Sequence, residues 1–525
     1  MKQKKVAVVG SGIVGATLAY HLVQKGFYVE VFERGPEYSY PHSEQFKEEF
    51  EYLYKNPGYS LPEDVNNIIV AGDYQHPLNG DFYAVVGGSS TRWSGIALRM
   101  IPSDFKTKSL YGYGDDWPIS YEAIEPYYCR AESFIGVSGT DEDNPFAPPR
   151  SQSYPMPPFE LSYDDLILAE RLKDAGMVLH STPQARTRVQ YGDRQACDNN
   201  GPCWVCPIGA RYSPNYHLQK AVLTGSCRVV SGVTVRRIVA DASGRATGIV
   251  YQDNESSTEQ EHAADIVIVA ANAIESARLL LLSKNERHPN GIGNHSGQLG
   301  KNLTFHHGWL GNVRYKEKFY PSRFGGWTGQ SHQFMNPPSR GRHGGTKIEF
   351  PFVNEPPNII GATWNECNTG EDVIASMEES RHWVPIRFHS EASVGSEKFV
   401  ALSEEKDRFG DPFAKAHYSL NEFDHETYAF VREILDKMVS ATHADEVSFS
   451  SVEGVHSIAH HHGTCRMGDS PNTSVVDSYG QVHGISNLFL AGGSTFVGSA
   501  TVNPTLTMVA LGIRTSDYII EKFKS

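Results

Sequence analysis

The feature that most constrains this chain lies in its first 33 residues. Val6-Ala7-Val8-Val9 is a short, largely β-branched apolar run, suited to a parallel strand buried on both faces. Gly10, Gly12 and Gly15 follow at once. Residues 16–25 then read as a helix, with Leu18, Ala19, Leu22 and Val23 on one face and Gly26 as its stop. Val29, Val31 and Phe32 form a second strand that ends at Glu33 and Arg34. The three glycines act differently. Gly10 permits the tight turn, Gly12 lets backbone approach a pyrophosphate, and Gly15 lets helix and strand pack closely. With Ile13 and Val14, the turn presents unpaired helix N–H groups to phosphate, and Glu33 is placed to accept hydrogen bonds from ribose hydroxyls. The context predicts an α/β, Rossmann-like dinucleotide site without separating FAD from NAD.

The remaining length and composition narrow the partners. With 525 residues, the chain implies two domains or one elaborated domain. A formal net charge of -14 argues against a nucleic-acid partner, while it would suit a cationic substrate such as an aminosugar. Lys2, Lys4 and Lys5 precede an apolar run that stops at Gly10, too short for a secretory core, and no stretch is long enough to span a bilayer. The seven cysteines are odd in number and three cluster at 197, 203 and 206, which disfavours a secreted disulfide framework. A cytoplasmic enzyme is the expectation.

Further motifs identify the dinucleotide. Residues 86–95 read Val-Gly-Gly-Ser-Ser-Thr-Arg-Trp-Ser-Gly; residues 460–468 read His-His-His-Gly-Thr-Cys-Arg-Met-Gly; residues 487–493 form an apolar strand ending in Gly492-Gly493; and residues 502–507 read Val-Asn-Pro-Thr-Leu-Thr. These segments resemble the glucose-methanol-choline (GMC) family of flavoprotein oxidoreductases nearly end to end. The pattern lies nearest the pyranose oxidases and FAD-dependent sugar dehydrogenases. The resemblance implies a Rossmann-like FAD-binding domain, of the type shared with p-hydroxybenzoate hydroxylase, and an antiparallel-sheet α+β substrate domain. It places FAD against Gly87, Gly88, Ser89, Thr91, Arg92, Trp93, Ser94 and Gly95, with Val235 against adenine and Ala271, Gly492, Asn503, Pro504 and Thr505 along the flavin. Asn272 stands where the family's second signature commonly has glycine. Arg92 occupies the position of a histidine that bonds flavin covalently in the pyranose 2-oxidase branch, so noncovalent FAD is expected.

The same resemblance assigns His460 as the catalytic base and Asn503 as the residue that orients the substrate hydroxyl. Histidine's near-neutral pKa suits removal of a hydroxyl proton while hydride leaves for flavin N5. Adjacent residues do not face one way, which disfavours a metal reading of the histidine run, and His461 and His462 are expected to be packing or solvated residues. Cys197, Cys203 and Cys206 resemble a loop that holds a 3Fe-4S cluster in related dehydrogenases. One liganding position falls on Ala196 and Cys203 is displaced by one residue, so a vestigial or structural loop is the favoured expectation, with iron ligation by the three thiolates as the alternative.

The FAD-binding segments are residues 1–100, 195–300 and 455–525; residues 101–194 and 301–454 are assigned to the substrate domain. Residues 398–420 read as a hairpin turning at 407–412. Residues 315–345, rich in Gly, Ser, Pro and Arg, read as an active-site lid. Trp309, Trp327, Trp364 and Trp383 are candidates for stacking on a sugar, against the commoner fate of core packing. The leading reading is oxidation of a CH–OH group of a sugar, glycoside or polyol, with oxygen or a quinone-like molecule as electron acceptor. The alternatives are an aminoglycoside or other alcohol dehydrogenase, the flavoprotein subunit of an electron-transfer complex, and a non-redox lyase.

Overall fold

The computed structural model describes residues 3–55, 68–74, 76–78, 82–198, 205–320, 327–351 and 369–524. Its first layer is the parallel sheet implied by the apolar runs. Lys5–Val9 lies between Tyr28–Phe32 and Ile266–Val269, with all pairings parallel. Cys227–Val230 extends one edge and Leu488–Leu490 the other. Ile266–Val269 is fully buried along its length, as both-face burial in a parallel sheet demands. The helix Ile13–Val23 crosses from the first strand to the second and packs against the long C-terminal helix Thr505–Phe523.

That first helix starts three residues earlier than its apolar periodicity indicates. Gly12 is its N-cap, so Ile13, Val14 and Gly15 form the first turn rather than a loop. Cys227–Val230 is taken by the parallel sheet, Gly232 turns the chain at φ +70°, and the next strand begins at Val233. Val233–Ala240 then pairs with Ala246–Asp253 as a hairpin. Asn272 has a local explanation: it is the N-cap of the helix Ala273–Leu282, and its side chain accepts the Glu275 N–H at 2.9 Å. A glycine there would leave that amide without this partner.

The second layer is a six-stranded antiparallel sheet, in the order Glu446–Phe449, His307–Arg314, Trp383–Ser390, Thr346–Glu349, Gly329–Ser331 and His180–Ser181. Register decides its chemistry. Ile348 lies opposite Phe388, whereas Lys347 lies opposite His389 and Glu349 opposite Arg387. Strand alternation therefore sends Ile348, Phe388 and Trp309 to one face and the four polar residues to the other. On the apolar face the Trp309 ring meets Tyr428 of the helix Glu422–Ala441.

The hairpin of Phe399–Lys406 and Pro412–His417 forms as the sequence indicates, and its second strand pairs in parallel with Ile69–Ala71. The lid expected at 315–345 does not appear in its described part. Tyr315, Phe319 and Met335 are buried, and Gly329–Ser331 is a sheet strand, so packing and pairing fix that stretch as wall; residues 321–326 lie outside the described residues. Among the described residues, no helix is long and apolar enough to cross a membrane.

Candidate active site

A cavity of about 620 Å³ connects the first βαβ unit with the polar face of the antiparallel sheet, a volume suited to a cofactor-sized molecule. Gly10, Gly12, Ile13, Val14, Glu33, Arg34 and Val235 line one part of it. Gly10 adopts φ +97°, and a Cβ there would lie 2.8 Å from the Ala270 carbonyl oxygen. A Cβ on Gly15 would lie only 2.0 Å from the Gly10 carbonyl oxygen, so this residue closes the turn from behind rather than lining the cavity. A Cβ on Gly12 would meet nothing within 4 Å, because this residue borders open space at the start of the helix. That open, amide-lined approach fits the pyrophosphate of FAD.

The Glu33 carboxylate is engaged within the protein. Its Oε2 accepts the Ser11 N–H at 3.0 Å and the Ser11 hydroxyl at 2.6 Å, and its Oε1 accepts the Gly35 N–H at 3.0 Å. Ser11 Oγ in turn accepts the Gly87 N–H at 2.9 Å. A single serine thus joins the first glycine turn to the second, a role that sequence reasoning does not assign. Its position between two glycines of the turn is the available signal.

The second glycine segment is held by close packing. Gly87 and Gly88 have positive φ, and a Cβ on Gly88 would lie 3.2 Å from Gly12 Cα. Gly88, Ser89, Arg92, Trp93 and Ser94 line the cavity. Gly87, Thr91 and Gly95 stand behind them: Gly87 abuts Asn215, the Thr91 hydroxyl donates to the Gly88 carbonyl at 3.0 Å, and Gly95 packs on the Arg211 side chain. The Arg92 guanidinium sits 3.8 Å from the Tyr83 ring centroid.

Ala271, Gly492, Asn503, Pro504 and Thr505 line the cavity further in, where the helix Thr505–Phe523 begins. Its N-terminal amides favour negative charge. Asn503 is buried and its Oδ1 has no hydrogen-bond partner among the described residues, an orphan polar atom that fits a site built around a bound group.

His460 lines the same cavity. Its Nδ1 lies 2.9 Å from Nδ1 of His306, whose Nε2 lies 2.8 Å from the Ser499 carbonyl oxygen. A carbonyl only accepts, so His306 carries its proton on Nε2 and offers a lone pair at Nδ1. His460 therefore donates from Nδ1, which leaves its Nε2 unprotonated. Burial, then the neighbouring His306, His389, His462 and Lys347, hold the His460 pKa well below its ordinary value. The ring is a neutral base with one available lone pair. His306 is not singled out by the sequence, because nothing local links residue 306 to residue 460.

The other two histidines of the run are buried, and His461 also lines the cavity. His461 and His462 pair with Thr304–Phe305, and their rings meet Phe82 and Phe496, respectively. Of the tryptophans, Trp309 is core, Trp383 is partly buried and Trp327 lines the cavity; Trp364 lies outside the described residues. Cys197 and Cys206 are free and partly buried, with Cys206 Sγ accepting the Arg211 N–H at 3.4 Å. Cys203 lies outside the described residues, and among those described no cluster of metal-ligating side chains occurs.

Comparisons with known proteins converge on one family. Residues 178–308 and 395–512 match two family models described as GMC oxidoreductase, and residues 5–45 match one described as FAD dependent oxidoreductase. The fructose dehydrogenase large subunit of Gluconobacter japonicus is 32% identical, covering 99% of this chain and 98% of its own. The 2-methyl-1,2-propanediol dehydrogenase of Mycolicibacterium austroafricanum is 29% identical over 99% and 96%, respectively. Among solved structures, pyridoxine 4-oxidase from Mesorbium loti shares the fold, with a TM-score of 0.64 and 16% identity over 99% of both chains.

Proposed function

The chain belongs to the GMC oxidoreductase family of FAD-dependent enzymes, and from that premise we propose that it oxidises a CH–OH group of a sugar or polyol to a carbonyl with His460 as the base. The observation that carries this reading is the His306–His460 pair, which leaves one imidazole nitrogen as a proton acceptor in the cavity shared with Asn503. The relatives named for fructose and for a diol support the substrate class.

FAD, when bound, supplies the two-electron acceptor for the hydride leaving the carbinol carbon. His460 Nε2 takes the hydroxyl proton as the C–H bond breaks, so the products are a carbonyl, a protonated imidazole and the reduced cofactor. Asn503 holds the hydroxyl by a hydrogen bond, and positioning of this kind lowers the entropic part of the barrier. The Gly88 segment and the N-terminus of the Thr505–Phe523 helix, with the first glycine turn braced by the Ser11–Glu33–Gly87 bridge, would hold FAD without a covalent bond. Residues 1–100, 195–300 and 455–525 form the FAD-binding part, and residues 101–194 and 301–454 the substrate part. Oxygen or a quinone-like molecule takes the electrons afterwards, and cysteine usage supports a cytoplasmic location.

Anaerobic mixing of the yellow holoenzyme with a panel of sugars, polyols and simple alcohols tests the reading. At least one polyhydroxylated donor is expected to bleach the flavin, with the colour returning on exposure to an acceptor. A flavin that no CH–OH donor reduces contradicts it.

A further inference from the structure

The polar face of the antiparallel sheet carries more charge than proton abstraction requires. Lys347 and Glu349, two residues apart on one strand, are both buried and form an ion pair. Glu349 also lies 3.0 Å from Nε2 of His389. Burial lowers the His389 pKa to about 4, outweighing the carboxylate beside it, so this imidazole is neutral at pH 7. His306 and His460 are held neutral in the same way.

Arg387 breaks the balance. It lies directly across the strand pair from Glu349, whose charge reaches it, and its half-buried side chain lines the cavity without a hydrogen bond or contact ion pair to any described residue. Its Nε is buried without a partner. Its close neighbour is Trp327, whose ring centroid lies 4.8 Å from the guanidinium carbon. This indole also lines the cavity and holds the guanidinium in place. An arginine remains protonated even where burial disfavours its charge. The polar face beside His460 thus carries two cations, the fully buried Lys347 and the cavity-lining Arg387, against the one carboxylate of Glu349. A half-buried charge with no contact partner is costly to hold, and a guanidinium presents a fork shaped for a planar, two-oxygen anion.

We propose that Arg387 is the docking group for a substrate carboxylate, which makes the preferred donor a polyhydroxy acid rather than a neutral sugar or an aminosugar. This rests on the alcohol-oxidation reading above and narrows its substrate class. Position supports it. Arg387 and His389 are two residues apart on one face, about 7 Å along a strand, and the His389 ring centroid lies 5.8 Å from that of His460. An anion held at Arg387 therefore leaves room for a sugar-acid chain to reach the base. One uncompensated cation matches a carboxylate monoanion better than a phosphate dianion. The overall charge of -14 is not repeated in this pocket, so the aminosugar suggested by composition does not suit it.

Two measurements on the holoenzyme test the proposal. First, binding of cyclohexanecarboxylate and cyclohexanecarboxamide, which offer no oxidisable hydroxyl, is read from the shift in flavin absorbance. The carboxylate is expected to bind at least tenfold more tightly, and Arg387→Met to abolish the difference while Arg387→Lys retains most of it. Second, kcat/KM for D-gluconate over D-glucitol is expected to favour the acid, with the ratio falling at least tenfold in Arg387→Met. Equal binding of acid and amide, an unchanged ratio in Arg387→Met, or a preference for glucose 6-phosphate over gluconate overturns it. Carboxylate-selective binding without any flavin reduction would instead overturn the alcohol-oxidation reading and leave the anion site standing.

Discussion

Replacing His306 by leucine removes a group that stands beside the base, with no contact to substrate required of it. The variant deletes the Nδ1 acceptor that fixes the proton on His460 Nδ1 and also leaves the Ser499 carbonyl without its 2.8 Å partner. A hydrogen bond of this kind contributes a net ~0.5–1.5 kcal/mol, about two- to twelvefold in the population of the competent tautomer and orientation. The rate of anaerobic flavin reduction at saturating donor should therefore fall about two- to twelvefold, with little change in donor affinity. His306→Asn, whose amide oxygen can accept from Nδ1–H, should recover most of the loss. Stopped-flow absorbance on wild type and both variants makes the comparison. A leucine variant that reduces its flavin at the wild-type rate, or an asparagine variant no better than leucine, refutes the tautomer assignment.

Other consequences are equally direct. A base acts unprotonated, so a pKa held below 6.5 moves the loss of activity to lower pH. Reductive rates should be flat through neutrality and decline only as the solution is acidified well below pH 6.5; a decline already in progress at pH 7 contradicts this. Ser11→Ala cuts the link from Glu33 to Gly87 and should weaken FAD binding about tenfold, at ~1–2 kcal/mol for two hydrogen bonds, as measured by flavin fluorescence on dialysis. Asn272→Ala removes a helix cap and should lower stability by about 1 kcal/mol in urea unfolding without changing the flavin spectrum. Acid precipitation should release all flavin into the supernatant; yellow colour kept by the pellet would show a covalent bond.

What could be read from the sequence was mostly what is local. The glycines at 10, 12 and 15 constrain backbone within one turn, so the strand–helix–strand unit follows from a few adjacent residues. The hairpin turning at 407–412 was legible for the same reason. The residues that shape chemistry around His460 come from strands remote in sequence. His306 reaches it across 154 positions, and Arg387 owes its place to the register with Glu349; a one-residue slip would send it to the apolar face. Composition suggested a lid at 315–345, where the described residues include buried Tyr315, Phe319 and Met335 and a paired strand.

The central claim is that His460 Nε2 receives the substrate's hydroxyl proton, and its most direct test is the anaerobic rate of flavin reduction in His460→Ala beside wild type. The variant is expected to keep its bound yellow flavin but to be reduced about 10²–10⁴-fold more slowly. A His460→Ala enzyme whose flavin is bleached at the wild-type rate would contradict that claim.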